Sequence, residues 1–413
     1  VTRAEARAHE PAALGLMAYW GYVAGVNGAA APLLAASFGV PEPLLPSALA
    51  WIGFASLGAL ASGRLADRVG RRRVALAAAA GLPLAAAASA LAPSLAAYVV
   101  AQLFSYACGT TLLGALVVMI SEHAGPAQRA AAQARGGIAF TVGAALPLVL
   151  CAAVAPAGID DAERWRWLWW AATPALAFWP LVARALREPA RWQRTAAAAY
   201  RARHLPGRGA RRILCAAALV AAAEVASRSW LFFHAVNGLG LPPRRALLVI
   251  ATGGVASLLG FDGGARLADR LGRRLAFALA AGCFATGAVV YFGASLATSG
   301  DPVWLLVAAF SAMGVGGNAA TIAFRAHATE LVPTRARGEL AGAVAVAGSV
   351  GWIASMFATS ALAHAVGSLG LAVAALVAFA VPAAVCLVLS LPETAGTDGD
   401  AAELALPDLA QGI

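Results

Sequence analysis

The chain has 413 residues, 61% of them hydrophobic and only 12% charged, against about a quarter charged in an ordinary soluble domain. Its formal charge is +10, and all 30 of its basic residues are arginine. This composition excludes a water-soluble globular domain, and a basic balance on so apolar a chain points to the arginine-rich inner loops of a membrane protein rather than to a nucleic-acid face.

A membrane-spanning helix needs about 20 mostly apolar residues. Cutting the chain at charge clusters and at proline and glycine predicts spans over 12–37, 47–63, 74–92, 95–120, 132–155 and 166–186, then over 212–236, 246–264, 275–297, 303–326, 339–365 and 369–391. The first run is too long for a cleavable leader and is read as a retained span. With the N-terminus inside, 25 of the 30 arginines fall on cytoplasmic segments, four fall outside and Arg228 lies within a span. That asymmetry places both ends in the cytoplasm. The expected fold is an all-α membrane protein of twelve transmembrane helices in two pseudo-symmetric six-helix bundles. The expected domains are a first bundle over 1–186, a central cytoplasmic linker over 187–211, a second bundle over 212–394 and a disordered cytoplasmic tail over 395–413.

Smaller features follow the same frame. Trp165, Trp167, Trp169 and Trp170 cluster where span six begins and read as an aromatic belt at the outer interface. Cys108, Cys151, Cys215, Cys283 and Cys386 fall inside apolar runs without metal or disulfide spacing, and read as small buried hydrophobes. The linker reads as a solvated basic segment or an interfacial amphipathic helix.

Two motifs occur twice. The run from Gly63 to Arg73, with Asp67, Arg68, Gly70 and Arg71, stands after span two; Arg-Leu-Ala-Asp-Arg-x-Gly-Arg-Arg returns after span eight with Asp269, Arg270, Gly272 and Arg273. Gly63 and Gly70 permit a sharp turn at the membrane surface, and Asp67 among arginines can form charge-assisted hydrogen bonds or cap a helix start. Span four ends in Glu122 with Arg129 seven residues on, and span ten in Glu330 with Arg337 seven residues on. Repetition of both motifs in one order describes a chain built as two related halves.

These motifs resemble the major facilitator superfamily over nearly the whole chain. Its G-x-L-A-D-R-x-G-R-R signature is met at Gly63, Leu65, Ala66, Asp67, Arg68, Gly70, Arg71 and Arg72, while the second copy carries Ala265 for the first glycine. The sugar-porter and organic-solute branch is the most similar: Glu330 to Gly338 resembles E-x-x-P-x-R-x-R-G, Glu188 to Trp192 resembles P-E-S-P-R-W, and Pro392-Glu393-Thr394 resembles the closing P-E-T. The resemblance implies two six-helix bundles, a cavity lined by spans one, four, seven and ten, and alternating access, with the Glu and Arg clusters closing the inner side in one state. It also marks departures. Val23 stands where sugar porters carry an Asp, Gln102 where they carry an Arg, and Arg228 where they carry a sugar-binding Asn.

Glu224 and Arg228 remain, four residues apart and deep in span seven, so they share one helix face. Ionisable groups inside a span are costly and mark a functional site by default. Arg228 is expected to hold a substrate carboxylate, with Glu224 as its partner or the proton carrier; a static pair that fixes helix packing is the plainer alternative. Asn27, Gln102, Tyr106 and Asn318 are further substrate-binding candidates, equally able to serve as interhelical hydrogen bonds. Neither a phosphate-binding loop nor a catalytic or metal-ligating constellation is visible, so no enzyme, cofactor or metal is expected.

The expected function is secondary active transport of a small organic solute, a carboxylate, by proton symport. The protein is expected to be a monomer of the inner (plasma) membrane whose partners are the solute, protons and the bilayer. The alternatives are a sugar or polyol porter, an exporter, or, in another class, a transporter-like sensor or enzyme that kept only the scaffold.

Overall fold

Two glycines turn the chain at corresponding places in its halves. Gly70 (φ 111°) and Gly272 (φ 84°) adopt left-handed backbone open to glycine, and each stands immediately before a long helix. The computed structural model describes residues 3–58, 65–66, 69–123, 129–154, 163–188, 207–294, 303–331 and 337–394, and all regular structure among them is helical. The helices are α1 (Arg3–Phe38), α2 (Leu45–Gly53), α3 (Arg71–Ala90), α4 (Leu95–His123), α5 (Arg129–Val154), α6 (Arg164–Trp170), α7 (Trp179–Ala185), α8 (Gly207–Phe233), α9 (Pro243–Ser257), α10 (Leu259–Leu271), α11 (Arg273–Gly293), α12 (Val303–Glu330), α13 (Arg337–Val366) and α14 (Leu369–Leu389). Eight helical segments among the described residues are long and apolar enough to cross a bilayer.

Several spans depart from the expected outline. Span six is broken into α6, a 3-10 segment over Thr173–Phe178, and α7. Pro174 and Pro180 each remove an amide donor from the helical ladder at these breaks. Span seven closes in a π turn, His234–Gly238. Span eight does not stop at 264: α9 and α10 carry it on to Leu271, so the second signature is helical from Ala265 and its turn falls at Gly272.

The chain divides into two compact units, one comprising Val1–Pro41 and Trp51–Tyr200, the other Glu42–Ala50 and Arg201–Ile413. Within each, glycine lets a pair of helices meet backbone to backbone. In the first, a Cβ at Gly21 of α1 would overlap the Phe140 carbonyl of α5, and one at Gly143 would overlap that of Ala18. In the second, a Cβ at Gly351 of α13 would overlap the Ala218 carbonyl of α8. Small residues are how membrane helices gain close packing where lipid supplies no hydrophobic drive. Gly351→Leu is therefore expected to push α8 and α13 apart and lower stability by about 1–3 kcal/mol, read as a lower unfolding midpoint in detergent. Gly348→Ala, whose Cβ would meet only the Ala221 Cβ at 3.6 Å, is expected to leave the midpoint in place.

The tryptophan cluster is only half a belt. Trp165 and Trp169 are wholly buried, whereas Trp167 and Trp170 are exposed. Alternate positions of a short helix point to opposite sides, and Trp165 packs against Phe38 and edge-on to Tyr98. The five cysteines are free; Cys151 is buried, Cys108 is half-buried and the other three lie on the surface of their unit.

Candidate functional site

The predicted polar residues form two separate clusters, one in each unit. In the first, Asn27 of α1 lies against α4. The Tyr98 hydroxyl donates to Asn27 Oδ1 (2.5 Å), and Asn27 Nδ2 donates to Gln102 Oε1 (2.9 Å). Gln102 Nε2 donates to Ser89 Oγ of α3 (2.7 Å), whose own proton goes to the Ala85 carbonyl (2.8 Å). Tyr106 reaches the same Asn27 side chain and sits edge-on to Trp20, with ring centroids 5.3 Å apart. Tyr98, Gln102 and Ser89 have no exposed surface. Each donor meets an acceptor in one direction along the chain, as buried polar groups must. Val23, one turn before Asn27, is also fully buried. This cluster is an uncharged, satisfied network. Tyr98 and Ser89 were not among the residues the sequence singled out, since a tyrosine and a serine in an apolar run carry no distinctive spacing.

In the second unit, Glu224 and Arg228 sit one turn apart on α8 as their spacing predicts. Arg228 Nη2 lies 3.6 Å from Glu224 Oε1 and donates to Asn318 Oδ1 of α12 at 3.2 Å. The Thr321 hydroxyl donates to Glu224 Oε1 (3.3 Å), and Asn318 Nδ2 donates to the Ser257 carbonyl (2.8 Å). The Arg228 side chain is 49% exposed and that of Glu224 24%. Gly317 lies directly against both: a Cβ there would stand 3.2 Å from Phe284 Cδ2, 3.3 Å from Glu224 Oε1 and 3.4 Å from Arg228 Nη2. These contacts are long and engage one guanidinium nitrogen. A guanidinium has five donors in a planar fork, and the contacts described here use one of its nitrogens.

The repeated signatures form a third kind of site, one latch in each unit. The Glu188 carboxylate accepts the backbone N–H of Arg71 and of Arg72, both at 2.9 Å. Glu393 does the same for Arg273 (2.8 Å) and Arg274 (3.1 Å). A carboxylate at a helix start satisfies orphan amides and meets the positive end of the helix dipole. The adjoining arginine answers at the other helix: Arg72 Nε and Nη2 donate to the Leu186 and Ala183 carbonyls (2.7 and 2.6 Å), and Arg274 Nη2 donates to Leu389 O. Each unit thus ties the start of its third span to the end of its sixth.

In the second unit the tie extends further. Arg273 pairs with Glu330 (3.0 Å) and with Asp269 (2.8 Å), the latter an exposed i, i+4 pair. Thr394 donates its hydroxyl to Glu330 Oε2 (2.7 Å). Arg270 is exposed. Gly63, Asp67 and Arg68 lie outside the described residues, and Glu122, Arg129 and Arg337 stand on helices with side chains outside them. Glu188 and Glu393, quoted in the sequence only as parts of a family pattern, turn out to be the latch carboxylates. The signal was their recurrence at matching distances, 117 and 120 residues after Arg71 and Arg273.

Comparison with known proteins agrees with this architecture. The inward-open xylose transporter XylE from E. coli superposes with a TM-score of 0.76 at 17% identity, covering 96% of this chain and 98% of that one. The proton:xylose symporter XylE bound to 6-bromo-6-deoxy-D-glucose gives 0.69 at 19%, covering 98% and 100%. A D-xylose-proton symporter gives 0.72 at 18%, covering 94% and 98%. At such identities the likeness is one of fold. No curated protein matches the sequence. The profile of the Major Facilitator Superfamily matches residues 12–355 and, in a second overlapping match, 264–407. With the signature and its latch present in both halves, the chain belongs to the Major Facilitator Superfamily.

Proposed function

We propose that this protein carries a small organic carboxylate across the membrane by proton symport. Membership of the family makes it a multi-pass membrane transporter rather than an enzyme, working by alternating access. The observation that carries the finer reading is the Arg228 guanidinium, half exposed and loosely held between Glu224 and Asn318. A site that recognises only hydroxyl groups has no need of a full positive charge inside a span, where its desolvation is costly. The carboxylate of an arriving solute replaces Glu224 as partner of Arg228. Glu224, released from Arg228, is then the group that carries the proton, so solute and proton bind together.

A sugar substrate is the second reading, favoured by the solved structures of similar fold, which are of xylose transporters. The arginine distribution supports cytoplasmic ends and a cytoplasmic position for both latches, in the inner (plasma) membrane.

A thermal-shift screen of monocarboxylates, aromatic acids and sugars on the purified protein chooses between the two classes, and counterflow in proteoliposomes then tests carriage. Glu224→Gln is expected to preserve exchange of the ligand so found and to remove the dependence of net uptake on an imposed proton gradient. Unchanged proton dependence in that variant ends the assignment of Glu224 as carrier. A screen answered by sugars alone ends the carboxylate reading.

A further inference from the structure

The second latch contains a link that the first lacks. Three residues before Glu330, His327 is 1% exposed. Its Nδ1 lies 3.1 Å from the Thr394 hydroxyl oxygen, which lies 2.7 Å from Glu330 Oε2. Glu330 is paired with Arg273 through both carboxylate oxygens, so it is ionised and only accepts. A threonine hydroxyl has one proton to give, and it goes to Glu330. The imidazole must then be the donor on the other side: Nδ1 carries its proton and Nε2 is bare. That Nε2 is buried, with no hydrogen-bond partner among the described residues. At the corresponding places in the first half stand Met119, three before Glu122, and Pro189, one after Glu188. Neither supplies a titratable ring or a hydroxyl; the buried histidine beside the first latch, His9 of α1, instead accepts the Arg187 N–H at Nδ1 (3.3 Å).

We infer that His327 is a positioning residue for the second latch, acting through Thr394 on Glu330, and that its charge state sets how firmly Glu330 holds Arg273. Neutral His327 directs the Thr394 proton onto the carboxylate and leaves Arg273 the cation bound there. The next proton goes to Nε2. The charged groups that face the ring are Glu330 on its own helix, Arg273 and Arg274 on α11, and Glu393 after α14. An imidazolium among them competes with Arg273 for Glu330 and repels both arginines. The start of α11 then loses its hold on the ends of α12 and α14. What this means for transport rests on the carrier reading above; its test needs no solute.

The test is hydrogen–deuterium exchange of the full chain in lipid nanodiscs at about pH 8 and about pH 4, the lower value set beneath the ordinary histidine range because the ring is buried, with rates scaled to intrinsic exchange. The reporters are the Arg273 and Arg274 amides, which Glu393 accepts. Wild type is expected to lose about tenfold in protection between the two, the response to a change of one pKa unit's worth of free energy. His327→Gln, whose amide still donates to Thr394 but does not titrate, is expected to keep its protection at both. Thr394→Val, which breaks the relay and leaves the histidine, is expected to have weak protection at both and no step. An equal step in His327→Gln, no step in wild type, or wild-type behaviour in Thr394→Val overturns the inference. A thermal scan of each variant in the same nanodiscs checks that the bundle is folded.

Discussion

Replacing Arg228 with methionine is expected to abolish carriage of an anionic solute. Methionine keeps much of the side-chain volume and removes the charge. Losing a charge-assisted contact to a carboxylate in a desolvated site costs about 2–5 kcal/mol, which is roughly 30-fold to several thousand-fold in binding. The variant also leaves Glu224 with the Thr321 hydroxyl of α12 as its partner among the described residues. Breaking a fully buried pair costs about 3–5 kcal/mol; with Arg228 49% exposed and Glu224 24%, about 1 kcal/mol is the better expectation. The double variant Glu224→Gln/Arg228→Met separates the two losses. It removes the stranded carboxylate, so its unfolding midpoint should return toward wild type while counterflow stays absent. If instead the double variant exchanges the ligand as wild type does, Arg228 has a packing role and the anion site lies elsewhere.

Glu393→Ala is expected to unfasten the second latch with a measurable loss of stability. The carboxylate satisfies two of the amides that begin α11, groups that no helical carbonyl can reach. A hydrogen bond to a charged acceptor contributes about 1.5–3 kcal/mol, and the exposed setting of this one puts the loss near the lower end. Glu188→Ala should cost more, since Glu188 sits where its amide contacts are part-buried and where Arg72 closes the same joint through two carbonyls. Gly272→Val serves as the internal comparison. A valine there is strained at φ 84°, and its Cβ would stand 2.9 Å from Glu393 Oε2, so it should displace the same carboxylate without deleting it. Unfolding midpoints ranked Glu188→Ala lowest, with Glu393→Ala and Gly272→Val close together, are the expected result. A wild-type midpoint for Glu393→Ala means that the latch does not hold α11.

Much of the site was legible from spacing alone. Glu224 and Arg228 lie on one helix face because 3.6 residues make a turn, and nothing beyond that periodicity is needed to place them together. The duplicated signature likewise located the turns at Gly70 and Gly272. Spacing left matters open where the outcome depended on which neighbour a helix meets. Asn27 and Gln102, 75 positions apart, are hydrogen-bonded to each other, the interhelical bond that was one of the two roles open to them. His327, a histidine near the end of span ten with no distinctive spacing, is sealed inside the second latch. Trp165 and Trp169 were read with their neighbours as a belt and proved to be core.

By itself the amino-acid order determined the membrane setting, the positions of most spans, the twofold plan and the pairing of Glu224 with Arg228 within a span. Those properties follow from transfer free energy, helical period and repetition, all of which act along the chain. The tertiary structure alone decided which carboxylates cap α3 and α11, that Arg228 faces Asn318, and that His327 reaches Glu330 through Thr394. These pairings join segments tens to more than a hundred residues apart, and they exist because close approach at glycine sets how helices pack and thus which polar groups, denied water, are left to satisfy one another.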